Sequence, residues 1–137
     1  MNIKKFFLAG IVGAVVMFLL AGMWNTVIVR NFIETQIDPS QLRPVPVLYL
    51  VILGYLVLGF LMAIIYPRFA KGGKSVMAQG LMFGIISGAF WMIPYSLVLN
   101  GIYNFPLVAI GYDTIWVIVE QGIGGIVIAM VYGEKVL

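Results

Sequence analysis

The chain has 137 residues, of which 63% are hydrophobic and 9% charged, with a mean hydropathy of +1.10 and a net charge of +3. A soluble domain carries about a quarter of its residues as charges, so that class is excluded and the lipid bilayer is the expected surrounding. With neither Cys nor His, disulfides, thiolate chemistry, the usual haem and zinc ligands and the usual general base are all missing; neither an enzyme, a metal site nor a cofactor is expected.

Charges leave 24 uncharged residues between Lys5 and Arg30, 24 between Arg43 and Arg68, and 38 between Lys74 and Asp113. A span needs roughly 20 apolar residues, so the first gap predicts a helix over 6–29 and the second a helix over 46–66. The third gap exceeds one span. Divided at 100–112, where Asn, Gly and Pro gather, it predicts helices over 76–99 and 113–132. The expected fold is all-α: one polytopic membrane domain, 1–137, with four transmembrane helices in an antiparallel bundle. A secretory signal is the competing reading of Lys4, Lys5 and the apolar run behind them, but the run continues through Trp24 to Val29 and no A-x-A site closes it. Met23 stands where a lipobox would need Cys.

Lys4, Lys5, Arg68, Lys71, Lys74 and Lys135 fall on one side of these spans, Arg30 and Arg43 on the other. The excess of basic residues predicts cytoplasmic termini and an outward-facing segment at each of 30–45 and 100–112. Spread over three segments, the basic residues favour anionic headgroups over nucleic acid, which is not an expected partner. Within the outer segment, Ile33, Ile37 and Leu42 around Asp38, Pro39 and Ser40 suggest an amphipathic stretch on the membrane surface.

The two halves resemble each other. Gly59 to Tyr66 overlays Gly125 to Tyr132 at an offset of 66, and an offset of 70 places Lys4 on Lys74 and Gly10 on Gly80. Common use of Gly, Ala and Tyr in membrane helices also accounts for the match; a true repeat would make two helical hairpins inserted the same way round. Small residues also recur every fourth position: Gly80, Gly84 and Gly88; Gly125 and Ala129; Gly59 and Ala63; and Ala9 with Gly13 or Gly10 with Ala14. Such a glycine zipper lets backbones approach closely, either inside the bundle or against a second copy or another membrane subunit.

Polar residues inside the spans gather toward the outer side. Asn25, Thr26, Tyr95, Ser96 and Glu120, the last counted from Asp113 at the expected outer end of its helix, fall within ~5–11 Å of the outer boundary at the helical rise, with Tyr55 in reach. Pro94 removes a backbone donor from helix three and leaves the Phe90 carbonyl wanting one. No Lys, Arg or His lies inside a span to pair with Glu120, so the carboxyl is expected to be neutral or wetted, donating to the Phe90 carbonyl, Tyr95, Asn25 or water. Asp113, Trp116, Glu120 and Gly124 share one helical face, which suits either a hydrogen-bonded seam or an outward-opening proton or cation path. Asp113 and Glu120 stand roughly 10 Å apart along the axis, too far to share a proton.

The basic start Met1 to Phe6, the loop Lys71-Gly72-Gly73-Lys74, Gly80-x3-Gly84-x3-Gly88 with Pro94, Tyr103-x2-Pro106 and Trp116-x3-Glu120-x3-Gly124 together resemble an uncharacterised group of small bacterial four-span membrane proteins. The resemblance implies the architecture and a bacterial inner-membrane location, and carries no activity with it. Two functions are expected to compete. The first is a non-catalytic subunit or scaffold that packs with itself or other membrane subunits through its Gly/Ala faces. The alternative is a small oligomeric transporter or channel using the polar layer around Glu120.

Overall fold

A computed structural model describes residues 2–36, 38, 40, 43–70 and 75–133. Lys71, Lys74 and Lys135, and the side chains of Ile33, Ile37 and Leu42, lie outside the described parts. Five α-helices follow in order: α1 (Ile3–Met23), prolonged by a π-helical turn (Trp24–Ile28); α2 (Arg30–Gln36); α3 (Leu48–Phe69); α4 (Val76–Ile102); and α5 (Leu107–Tyr132). Among the described residues there is no strand. Four stretches of 22 to 27 residues, α1 with its turn, α3, α4 and α5, are long and apolar enough to cross a bilayer. The protein is a multi-pass helical membrane protein.

The helix ends have local causes. Asn2 caps α1, its Oδ1 accepting the Lys4 and Lys5 amides at 3.1 and 3.2 Å. At the other end, Asn25 Nδ2 donates to the Ala21 carbonyl at 2.9 Å and Thr26 Oγ1 to that of Gly22 at 2.7 Å. Side chains thus compete for carbonyls that the backbone would use, and the ladder widens until Val29 N reaches Trp24 O at 3.0 Å. Beyond α2, the Asp38 carboxylate accepts the Ser40 amide at 2.8 Å, which holds its pKa below the ordinary carboxylate range.

One expected boundary is corrected. The connection before the last helix is four residues, Tyr103 to Pro106, instead of 100–112, and α5 starts at Leu107 instead of near Asp113. Asn100 and Gly101 stay helical, with Asn100 Nδ2 bonded to the Ser96 carbonyl at 3.0 Å. Only Pro106 enforces the break: it disfavours helix at Phe105 and is itself compatible with a helix start.

The spans form two antiparallel hairpins, α1 with α3 and α4 with α5, and α1 additionally runs along α5. We call the end with Lys4, Lys5 and Arg68 the basic end and the opposite one the loop end. The small-residue faces meet one another inside the chain. A Cβ at Gly59 would fall on the Gly10 carbonyl and 2.9 Å from the Ala14 Cβ, while one at Gly125 would fall on the Gly80 carbonyl and 2.9 Å from the Gly84 Cα. Offsets of 66 and 70 carry the first set of contacts onto the second, so the likeness between the halves is matched by equivalent packing in the two hairpins.

The hairpins meet along two seams that are not alike. Between α1 and α5, Ile128 covers Gly13 and Met17 covers Gly124, so the helices stay in contact over several turns. The same offsets put Phe83 and Leu58 where Gly13 and Gly124 stand, and α3 meets α4 sparingly. Their contact lies toward the basic end, where Phe83 packs on Tyr66 and Phe69 with ring centroids 5.4 Å apart in both cases. Farther up, Leu58 of α3 and Trp91 of α4 line the space between the two helices.

Pro67 interrupts the last turn of α3 and deprives the Ala63 carbonyl of its usual donor. Tyr132 Oη, buried, supplies one at 2.7 Å. Lys5 Nζ donates in turn to the Tyr132 carbonyl, tying α1 to the end of α5. Tyr132→Phe is expected to lower stability by about 1–2 kcal/mol, read from the midpoint of SDS-induced unfolding in mixed micelles, because among the described residues Tyr132 is the donor to the Ala63 carbonyl.

Candidate functional site

Glu120 lies thirteen residues past the start of α5, about 20 Å along the axis, so it sits near the middle of that span and farther from its outer end than the sequence suggested. It is 2% exposed. Its neighbours follow from helical spacing: one turn toward the basic end is Gly124, which leaves room for Met17 of α1, and one turn toward the loop end is Trp116. Tyr55 of α3 donates from Oη to Glu120 Oε2 at 3.3 Å. Phe18 of α1 stands edge-on to the Tyr55 ring, with centroids 6.0 Å apart, and fixes its direction. The bond therefore joins α3 to α5 across α1, the helix that both contact.

The remaining polar residues do not join Glu120 in one layer. Ser96 and Thr114 share a 2.9 Å hydrogen bond between α4 and α5, and Thr114 precedes Glu120 by six residues, or about 9 Å of rise. Asn25 turns back to its own helix. Tyr95 is 51% exposed and lies against Trp91, with centroids 6.2 Å apart. Glu120 engages Tyr55, and not the Phe90 carbonyl, Tyr95 or Asn25; Phe90, one turn before Pro94, faces outward at 81% exposure. The expected layer is thus divided: Asn25, Tyr95, Ser96 and Asp113 line one cavity toward the loop end, and Tyr55 with Glu120 lies apart, because each residue's azimuth on its helix, and not its depth alone, decides what it meets.

Toward the loop end a cavity of about 290 Å³ lies among α1, α4 and α5. Asp113, Asn25 and Ser96 supply its polar atoms, while Trp24, Phe32 and Tyr112 supply aromatic walls. Trp24 also stacks face to face on Trp116, with ring centroids 4.5 Å apart and planes within 4°. Trp24 lines the cavity and Trp116 precedes Glu120 by one turn, its indole N–H buried and outside hydrogen-bonding geometry to the carboxyl. A second recess of about 470 Å³ opens sideways between α3 and the α4–α5 pair, with Tyr55 and Glu120 at its base and Leu50, Gly54, Leu58 and Trp91 among its walls. Among the described residues no group of three or more Asp and Glu is placed to hold a metal ion.

Two participants were not singled out by sequence. Thr114 is ordinary in a membrane helix until its partner Ser96 is seen. Gln121 is wholly buried, its carbonyl against Gly84 and its Cβ near Gly88, and neither amide atom has a hydrogen-bond partner. Its signal was present as a second polar residue beside Glu120 in an apolar run. An unpaired buried amide costs about 1–3 kcal/mol, so Gln121→Met is expected to be neutral or stabilising in detergent unfolding. A clear loss of stability would show that the amide finds a polar partner in the membrane.

No protein-family model, curated protein or solved structure matches this chain.

Proposed function

We propose that this multi-pass protein is a small transporter of a bacterial inner membrane, with cytoplasmic termini, in which Glu120 takes up and releases a proton or small cation. The carrying observation is a carboxyl buried near the middle of a span and hydrogen-bonded across helices to Tyr55, with no Lys, Arg or His between the first and last turns of any span. An intramembrane acid held this way marks an ion or proton route more often than a packing element. The loop-end cavity with Asp113 is the entrance, and the Trp24–Trp116 stack closes it above Glu120. Assembly with further copies, or within a larger membrane complex, belongs to the same reading.

The scaffold alternative has lost its first support, since the Gly/Ala faces it relied on are filled by this chain's own helices. It would have to use the lipid-facing side of α3, the least covered span. Reconstitution separates the two readings: with purified protein in liposomes, an imposed pH or cation gradient should decay several-fold faster than in empty vesicles, and Glu120→Gln should return it to the empty rate. Decay unaffected by that substitution, or no decay at all, removes the transport reading.

A further inference from the structure

We propose that the recess between α3 and the α4–α5 pair admits a single-chain lipophilic amine from the bilayer, with its hydrocarbon tail along the walls and its nitrogen on the Glu120 carboxyl. The inference rests on the reading of Glu120 as a group that takes up and releases a proton, and adds to it the class of ligand and the direction of entry.

Three observations converge. First, the recess is lined by Leu58, which stands at the position equivalent to Gly124 of the closed opposite seam, and α3 meets α4 sparingly. At about 470 Å³ it has the volume of a small-molecule site, and Leu50, Leu58 and Trp91 make its walls apolar. Second, Leu50, Val57 and Leu61 along it are exposed side chains of the span α3, so a ligand reaches it through hydrocarbon. Third, its base holds a carboxyl oxygen bonded to Tyr55 Oη at 3.3 Å, a polar end matched to one hydrogen-bonding head. The groups facing that carboxyl are Tyr55 from α3 and Trp116 from its own helix, with Asp113 two turns away; α1 contributes Met17.

Charge selects the ligand. A permanent cation would have to cross hydrocarbon uncompensated, at a large cost. An amine enters as the free base. At the carboxylic acid the Glu120 O–H bond breaks, the nitrogen lone pair takes the proton, and an ammonium–carboxylate pair of zero net charge remains, with the Tyr55 hydroxyl still donating to the carboxylate. A quaternary ammonium has no lone pair to accept the proton, and a long-chain alcohol is too weak a base.

Tail-brominated dodecyldimethylamine, dodecyltrimethylammonium and dodecanol test this on the full chain in lipid nanodiscs. Tryptophan fluorescence reports occupancy, with Trp91→Phe assigning the signal. The amine should quench saturably at a midpoint at least about tenfold below those of the other two, about 1.4 kcal/mol of preference. Glu120→Gln should raise the amine midpoint to that of dodecanol. Gly54→Phe, whose ring enters open space in the recess, should abolish quenching. Equal midpoints for all three probes would overturn the proposal by showing that the recess takes any chain, and so would an amine preference that survives Glu120→Gln. Absence of quenching together with Gly54→Cys cross-links between copies would overturn it in favour of a second protomer. Should gradient decay depend on Glu120 while the amine shows no preference, only this inference falls; should Glu120-dependent amine binding occur without decay, the transport reading falls instead.

Discussion

Among the described glycines, Gly84→Ala is expected to be the most damaging addition of a single methyl. The added Cβ would fall on the Gln121 carbonyl, with the Gly122 Cα 2.7 Å away, and both are backbone atoms of α5 that no rotamer change can move aside. Overpacking of this kind typically costs about 1–3 kcal/mol, and Gly84 should lie at the upper end because α4 is held chiefly by α5. The measurement is the SDS-unfolding midpoint, beside Gly22→Ala, Gly54→Ala and Gly111→Ala as internal controls. Those three have nothing within 4 Å of the added methyl, so they should be neutral or gain about 0.5–1 kcal/mol from the helix preference of Ala. If Gly84→Ala behaves as the controls do, the α4–α5 contact is not as close as described.

Glu120→Gln and Glu120→Lys should part company. Gln keeps an oxygen to accept from Tyr55 Oη and carries no charge, so the protein should fold with a stability within about 1 kcal/mol of the parent, while gradient decay and amine preference disappear. Lys brings a charge into the middle of a span, where among the described residues only Tyr55 hydrogen-bonds the side chain; on insertion scales that costs about 2.5–3.5 kcal/mol, enough to lower the yield of folded protein. Size-exclusion profile and SDS-unfolding midpoint read the difference. Equal damage from the two substitutions would mean that the carboxyl acts as an anion, and would remove the neutral acid on which both proposals depend.

The spans were legible because lipid leaves few choices: a run of 20 apolar residues has to satisfy its backbone internally, and the chain offers such runs between widely spaced charges. The start of α5 was misread for a definable reason, since Asn100, Gly101 and Gly111 look like turn residues by composition while a membrane helix tolerates them. Glu120 announced itself as an acid in an apolar stretch. Its partner did not, because Tyr55 lies 65 positions away on another helix and nothing local to either residue marks the pairing. The Pro94 break drew attention on sequence, yet the break mended by a distant side chain is the one at Pro67, through Tyr132.

By itself, then, the amino-acid order determined four crossings, the close backbone approach of small-residue faces, and one acid without a nearby cation; each follows from hydropathy, side-chain size and charge counted along the chain. Tertiary structure alone decided that those faces are filled from within, that Glu120 meets Tyr55, and that the α3–α4 seam stays open while its counterpart closes. Helix azimuth and side-chain volume at crossing points govern these outcomes, and both depend on how separate helices turn toward one another.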